Sequence, residues 1–216
     1  MTFIIINPNS TTTMTDAMLK QARRAAPSLK WEGWTSRDGP PAIQGQADGD
    51  AATEPLLALV RKAAQSGAQG IVIGCFDDTA LVQAANVASC PVIGIGQASY
   101  HYAALRNWRF SVVTTLSVSV PVIETNIAQQ GFGAFVAQVR ASEVPVLALE
   151  ADKGEASQIV LQEALAAESR DNISAVILGC AGMVELFEDV QHALAIETID
   201  PVSCAARCMT WVAPRH

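Results

Sequence analysis

Short apolar runs rich in Val and Ile alternate along the chain with longer, Ala-rich stretches whose apolar positions recur at helical spacing. In the first half this pattern predicts strands at 3–6, 31–35, 70–74 and 91–95. Helices are predicted within 12–26 and 53–65 and from about 78 to 88. The second half repeats the order, with strands at 110–114, 134–140, 175–179 and 195–199 and helices at 118–130, 155–168, 183–187 and about 203–212. Apolar strands alternating with helices are the signature of βαβ units on a parallel sheet covered on both faces.

Three landmarks repeat at nearly one offset. Phe3-Ile4-Ile5-Ile6-Asn7 matches Phe110-Ser111-Val112-Val113-Thr114 at 107 residues. Ile71-Val72-Ile73-Gly74-Cys75 matches Val176-Ile177-Leu178-Gly179-Cys180 at 105, and Val92-Ile93-Gly94-Ile95 matches Ile196-Glu197-Thr198-Ile199 at 104. The expectation is an α/β protein of two pseudo-symmetric lobes, each a four-stranded, mostly parallel sheet flanked by helices. Residues 1–96 and 203–216 would form the first lobe and 97–202 the second, with the active site in the cleft between them.

Half of the 216 residues are hydrophobic and 16% are charged, enough apolar material for a substantial core. The net charge is −7 and no Lys/Arg cluster stands out, which argues against a nucleic-acid or anionic-membrane partner. The opening run Phe3-Ile4-Ile5-Ile6 is too short to span a bilayer, and no basic stretch or small-residue cleavage site accompanies it. A soluble cytoplasmic protein is expected. The five cysteines form no C-x-x-C pair, and no metal-ligand cluster, P-loop or dinucleotide Gly fingerprint is present, so no metal or cofactor is expected. Cys90, Cys204 and Cys208 read as small buried hydrophobes.

Cys75 and Cys180 read differently. Each follows a predicted strand, behind a Gly that lets the backbone turn tightly. Ligands of parallel α/β sheets collect at those carboxyl strand ends. The following segment reads as helical in both halves, so each sulfur is expected at a helix N-terminus, where unpaired N–H groups and the helix dipole lower a thiol pKa. Two acid/base groups on opposite faces of one carbon are what a cofactor-independent racemase needs: one thiolate removes a proton and the opposing thiol delivers one. The carbanion or enolate also needs hydrogen-bond donors. Candidates are the N–H groups of Phe76-Asp77 and Ala181-Gly182, and side chains of the loops Asn7-Pro8-Asn9-Ser10 and Thr114-Thr115-Leu116-Ser117. The first loop also reads as a plain turn with Ser10 or a nearby Thr capping the next helix.

Five ordered segments carry a family resemblance: Ile6-Asn7-Pro8-Asn9-Ser10, Gly74-Cys75-Phe76-Asp77-Asp78, Pro91-Val92-Ile93-Gly94-Ile95-Gly96, Phe110-Ser111-Val112-Val113-Thr114-Thr115 and Gly179-Cys180-Ala181-Gly182-Met183. Over essentially the whole chain these resemble the hydantoin/allantoin racemase branch of the Asp/Glu racemase superfamily. The resemblance implies an Asp/Glu racemase-like fold, no cofactor, a small cyclic ureide substrate and a homo-oligomer. It implies that Cys75 and Cys180 act as acid and base on C5 of a hydantoin ring, with substrate contacts at Asn7, Thr114 and Thr115. Further candidate contacts are Asn9, Ser10 and Ile43, then Gly74, Phe76 and Asp77 around the first cysteine. Gly179, Ala181, Gly182 and Met183 surround the second.

The chain departs from related patterns. The amino-acid racemases would carry an Asp-Ser-Gly-type first loop and a Cys followed by Asn-Thr, where this chain has Asn-Pro-Asn-Ser and Phe76-Asp77-Asp78. The hydantoin branch would carry Pro-Gly after the paired Asp, where Thr79-Ala80 stands here. Arylmalonate decarboxylases need one of the two cysteines, so a chain with both points to racemisation. The alternatives are an amino-acid racemase, a maleate isomerase or arylmalonate decarboxylase of the same superfamily, and a non-catalytic two-lobed small-molecule binder. Arg37, Arg106 and Arg109 read as a carboxylate clamp or as surface groups. Asp77 and Asp78 read as partners of ring N–H groups or as acids at a helix start. Tyr100 and His101 read as cleft lining or helix packing, and His192 and His216 stand outside any motif.

Overall fold

Strand β1 (Phe3–Asn7) is buried along its whole length, and its side chains divide between two cores. Phe3 and Ile5 join an inner cluster, while Ile4 and Ile6 join an outer one. The two-residue period of a strand and two apolar faces require this sandwiching. The computed structural model describes residues 2–151 and 153–213; Met1 and residues 214–216, including His216, lie outside the described residues.

With β2 (Trp31–Thr35), β3 (Gly70–Ile73) and β4 (Val92–Gly94), β1 forms a parallel sheet of order β2-β1-β3-β4. The strands β5 (Phe110–Thr114), β6 (Val136–Ala141), β7 (Ala175–Leu178) and β8 (Glu197–Ile199) form a second parallel sheet in the matching order β6-β5-β7-β8. In each sheet the direction of winding reverses between the first and third strands. A crevice opens at that switch point, beyond their carboxyl ends. The loops that open it follow β1 and β3 in one lobe and β5 and β7 in the other, which are the loops that carry the sequence landmarks.

Helices α1 (Thr12–Ala25), α2 (Gln46–Gln65), α3 (Leu81–Val87) and α4 (Ile95–Leu105) serve the first sheet. Helices α5 (Val120–Gln129), α6 (Ala148–Ala151), α7 (Lys153–Arg170) and α8 (Phe187–Ala193) serve the second. The last, α9 (Pro201–Val212), packs on α1 and α4. Pro201 opens α9, and the Asp200 carboxylate caps it by accepting from the N–H groups of Val202 and Ser203, both at 3.1 Å. The inner core is shared: Phe3, Ile5 and Val72 meet Phe110, Val112 and Ile177, together with Tyr100 of α4 and Met209 of α9.

The predicted elements need several corrections. Helix α2 begins at Gln46 rather than Thr53, because its first turns are too polar to show a periodic apolar face. The segment expected to be helical from Asp78 starts only at Leu81, since Asp78 and Ala80 hold left-handed φ values of 47° and 51°. Helix α4 follows β4 without a loop, and α6 and α8 fall where no full helix was predicted. The short helix predicted at 183–187 is a 3₁₀ segment over Ala181–Leu186 that runs into α8.

Candidate active site

Gly74 and Gly179 do not turn the chain through a left-handed conformation; neither has a positive φ. They are small because other atoms lie too close. A Cβ on Gly179 would stand 2.6 Å from Val112 Cγ1 and 3.0 Å from the Val113 carbonyl oxygen. On Gly74 it would stand 2.6 Å from Met18 Sδ. Both glycines donate one further backbone hydrogen bond to the neighbouring strand, Gly74 to Ile6 at 2.8 Å and Gly179 to Val113 at 2.7 Å. The sheet thus runs one step past its formal end before each cysteine leaves it.

Beyond that point the lobes diverge. After Cys75 the chain makes a turn closed by the Asp78 N–H on the Cys75 carbonyl at 3.1 Å. Cys180 instead caps the 3₁₀ segment, its sulfur accepting from the Gly182 N–H at 3.4 Å. Only the second thiol has the helix-start setting expected for both.

The first-strand loop is tied from within. Asn7 is wholly buried and donates to Asn9 Oδ1 at 2.7 Å, to the Thr11 carbonyl at 3.0 Å and to Thr15 Oγ1 at 3.2 Å. Its side-chain oxygen Oδ1 accepts from the Asn9 N–H at 3.2 Å. Asn7 therefore holds Asn9 in place. In the second lobe Thr114 donates to the Gly179 carbonyl at 3.1 Å, joining the β5 end to the Cys180 turn.

These loops enclose a narrow cavity of about 20 Å³, open to solvent on one side. Cys75 and Cys180 both line it, and so do Asn9, Ile43, Gly74, Phe76, Asp77, Thr114, Thr115, Gly179, Ala181 and Gly182 from the expected set. Asn7, Ser10 and Met183 do not: Asn7 lies beneath the loop, Ser10 is half-buried with its N–H on the Pro40 carbonyl, and Met183 is in the second lobe's outer core. Met14, Ser119 and Val146 complete the lining and had no sequence signal, being an apolar helix residue, a turn serine and a loop valine. Among the described lining residues there is no Lys, Arg or His. Contacts across the lobes close the cavity's rim. The Val146 N–H donates to Gln44 Oε1 at 2.9 Å, Thr13 Oγ1 donates to Glu150 at 2.5 Å, and Asn126 Nδ2 donates to the Asp77 carbonyl at 2.7 Å.

The expected depression of the thiol pKa values is overturned. Burial pushes Cys75 well above the usual thiol range, and the Asp77 charge and, more weakly, Cys180 add to this. The Thr79 hydroxyl and the Asp77 backbone N–H pull the other way. Burial likewise pushes Cys180 up to about 12, opposed by the Gly182 N–H and raised further by Asp77. Loss of water around sulfur outweighs the few N–H groups aimed at it. Burial thus favours the thiol form of both sulfurs.

Asp77 and Asp78 differ sharply. Asp78 accepts from the N–H groups of Gly96 at 3.1 Å and Gln97 at 2.8 Å and from Gln130 Nε2 at 3.1 Å, so it pins the Cys75 loop to the start of α4. Asp77 lines the cavity, and its Oδ2 is buried without a hydrogen-bond partner. Burial pushes both carboxyls up to about 7. The remaining candidates serve the scaffold. Arg37 is exposed, Arg106 lies over the Trp108 ring, and Arg109 donates to the carbonyls of Asp171 and Asn172. Tyr100 is packed between Phe76 and Phe110, and exposed His101 meets the Phe132 ring edge-on. Cys90 and Cys208 pack half-buried against the cores and Cys204 lies within one. Among the described residues no three His, Cys, Asp or Glu side chains are grouped as a metal site, and no helix is long and apolar enough to cross a membrane.

Two like α/β lobes with the same strand order thus bring a thiol from each to one shared cavity. The chain belongs to the Asp/Glu/Hydantoin racemase family, whose profile matches residues 4–209. It is 40% identical to the hydantoin racemase of Rhizobium meliloti over 206 residues, which cover 94% of this chain and 85% of that one. Its structure resembles the allantoin racemase from Klebsiella pneumoniae with a TM-score of 0.92 at 33% identity, over 97% of this chain and 86% of that one. The allantoin racemase of Pseudomonas fluorescens superposes with a TM-score of 0.92 at 27% identity, over 97% and 89% of the two chains.

Proposed function

We propose that this chain racemises 5-substituted hydantoin-type rings, allantoin included, by moving the C5 proton between Cys75 and Cys180. The observation that carries this reading is a cavity lined by both sulfurs and, among its described residues, by no cationic side chain. A free amino acid would bring a carboxylate with nothing to neutralise it, whereas a cyclic ureide is neutral. Its C5–H is flanked by a carbonyl and a ring nitrogen, which makes it the more acidic.

In the forward step one sulfur, as thiolate, takes the C5 proton, and the electron pair of that C–H bond spreads onto the adjacent carbonyl oxygen as an enolate. The opposite thiol then gives its proton to the other face of C5 and is left as the thiolate. The pair thus ends with its proton exchanged between sulfurs, and the return reaction starts from that state. A high thiol pKa makes the rarer thiolate a stronger base. The backbone N–H groups of Phe76 and Ala181 are the candidates to donate to the enolate oxygen, those of Asp77 and Gly182 being turned to the sulfurs of Cys75 and Cys180. The scheme calls on no cofactor.

The test follows circular dichroism of single enantiomers of allantoin, a 5-alkyl and a 5-aryl hydantoin, aspartate and glutamate, with maleate followed by its absorbance. Loss of signal for the ring compounds alone is expected. Racemisation of aspartate or glutamate without action on any hydantoin would sink the proposal. Solvent deuterium entering C5 separates catalysis from mere binding.

A further inference from the structure

We propose that Asp77 selects the substituent at C5: its carboxylate accepts N–H donors, so the site favours ureido or aminoalkyl substituents over apolar ones and repels those ending in a carboxylate. The inference rests on the reading of the chain as a hydantoin-type racemase and goes on to assign the residue that sets its preference. Asp77 follows Cys75 by two residues and lines the same cavity. It shares the cavity wall with both sulfurs, so the carboxylate lies beside the reacting centre rather than at a remote end.

Four features make this carboxylate a receptor rather than a structural group. Its Oδ2 is buried with no partner, while neighbouring Asp78 is occupied by three donors. A buried carboxylate oxygen left unpaired is a cost that a bare fold has no reason to keep and that a ligand donor would remove. No cation stands among the described residues of the cavity wall to neutralise it. The residue is also held from the second lobe, through the 2.7 Å bond from Asn126 to its carbonyl, so the carboxylate is offered by a fixed backbone. Asp77 further borders a larger groove beside the cavity, shared with Asn126 and Gln130, which leaves space for a substituent that reaches past the ring.

The experiment measures kcat/KM for allantoin, which carries a ureido group, for 5-isobutylhydantoin, which is apolar, and for hydantoin-5-acetic acid, which is anionic. The enzymes are the parent, Asp77→Ala and the nearly isosteric Asp77→Asn, each checked for a native dichroism spectrum. Ratios between substrates cancel any general change, including the easier ionisation of both thiols once the Asp77 charge is gone. The allantoin to 5-isobutylhydantoin ratio should fall about tenfold in Asp77→Ala, as for loss of one hydrogen bond to a charged group. The ratio of hydantoin-5-acetic acid to 5-isobutylhydantoin should rise about threefold or more in both variants. Unchanged ratios in the folded variants overturn the role of Asp77 while leaving the racemase reading intact. Failure of the parent enzyme to racemise any of the three compounds overturns that reading, and this inference with it.

Discussion

Asp78 lies so close to Gly94 that a Cβ on that glycine would stand 1.9 Å from Asp78 Oδ1. The contact exists because Asp78 reaches across the end of β4 to the first N–H groups of α4. Burial holds this carboxyl up at about 7 against an ordinary value of 3.8. The folded chain therefore keeps the Asp78 proton to a higher pH than the unfolded chain does. Stability from this group is greatest in acid, falls as pH rises from about 4 to about 7, and levels off above that. Asp78→Asn has no proton to lose. Urea unfolding at pH 5, 6, 7 and 8 should show the parent losing ground to Asp78→Asn by up to about 1 kcal/mol per pH unit until pH 7, then running parallel. Parallel curves throughout would refute the assignment.

The two glycines before the cysteines should tolerate alanine unequally. At Gly74 the nearest obstacle is the flexible end of Met18, with backbone no closer than the Ile6 carbonyl oxygen at 3.3 Å. At Gly179 backbone crowds the site, with the Val113 carbonyl oxygen at 3.0 Å and Thr114 Cα at 3.2 Å. Gly179→Ala should cost about 2–3 kcal/mol and Gly74→Ala about 1 kcal/mol, within the usual range for overpacking. Urea midpoints of the two variants decide this, and an equal or reversed order would count against the close-approach explanation.

In the proposed two-base scheme each cysteine serves only its own face of C5, so their losses should be mirror images. Cys75→Ser and Cys180→Ser should each lower racemisation by at least about a hundredfold, because a hydroxyl is a poor acid/base substitute for a thiol. In deuterium oxide each variant should still exchange the C5 proton of one enantiomer, and the two should retain opposite ones. Proton NMR of each enantiomer, corrected for spontaneous exchange, makes the comparison. Near-parental racemisation by either variant would end the two-base scheme.

Burial raises both thiols, so alkylation should be slow at neutral pH. Iodoacetamide should label Cys75 and Cys180 more slowly at pH 7 than an unfolded-chain thiol and much faster as pH climbs past 9. The Asp77 charge raises both thiols. Asp77→Asn should therefore speed labelling at both positions several-fold, read by peptide mapping. Fast labelling at pH 7 that ignores Asp77 would show that burial does not control these thiols.

Much of the frame was legible along the chain because it depends on local periodicity. A strand apolar on both faces, such as Ile71-Val72-Ile73 or Val176-Ile177-Leu178, has one good environment, the middle of a parallel sheet. Repeating that run before Gly-Cys placed both cysteines at strand ends that do line one cavity. The start of α3 was not legible, because left-handed φ values at Asp78 and Ala80 leave no mark on apolar spacing. Asp78 adopts that conformation while its side chain reaches donors 18 and 19 residues away.

By itself, then, the sequence determined the two sheets, their repeated order and the two thiols, since each follows from patterns a few residues long. Only the tertiary structure decided how those thiols ionise and what surrounds them. Met14, Ser119 and Val146 reach the cavity from separate elements, and Asn7 turns inward to hold Asn9. Desolvation, too, is a property of everything packed around an atom. A helix start beside Cys180 is visible in the chain, but the burial that outweighs it comes from residues contributed by both lobes.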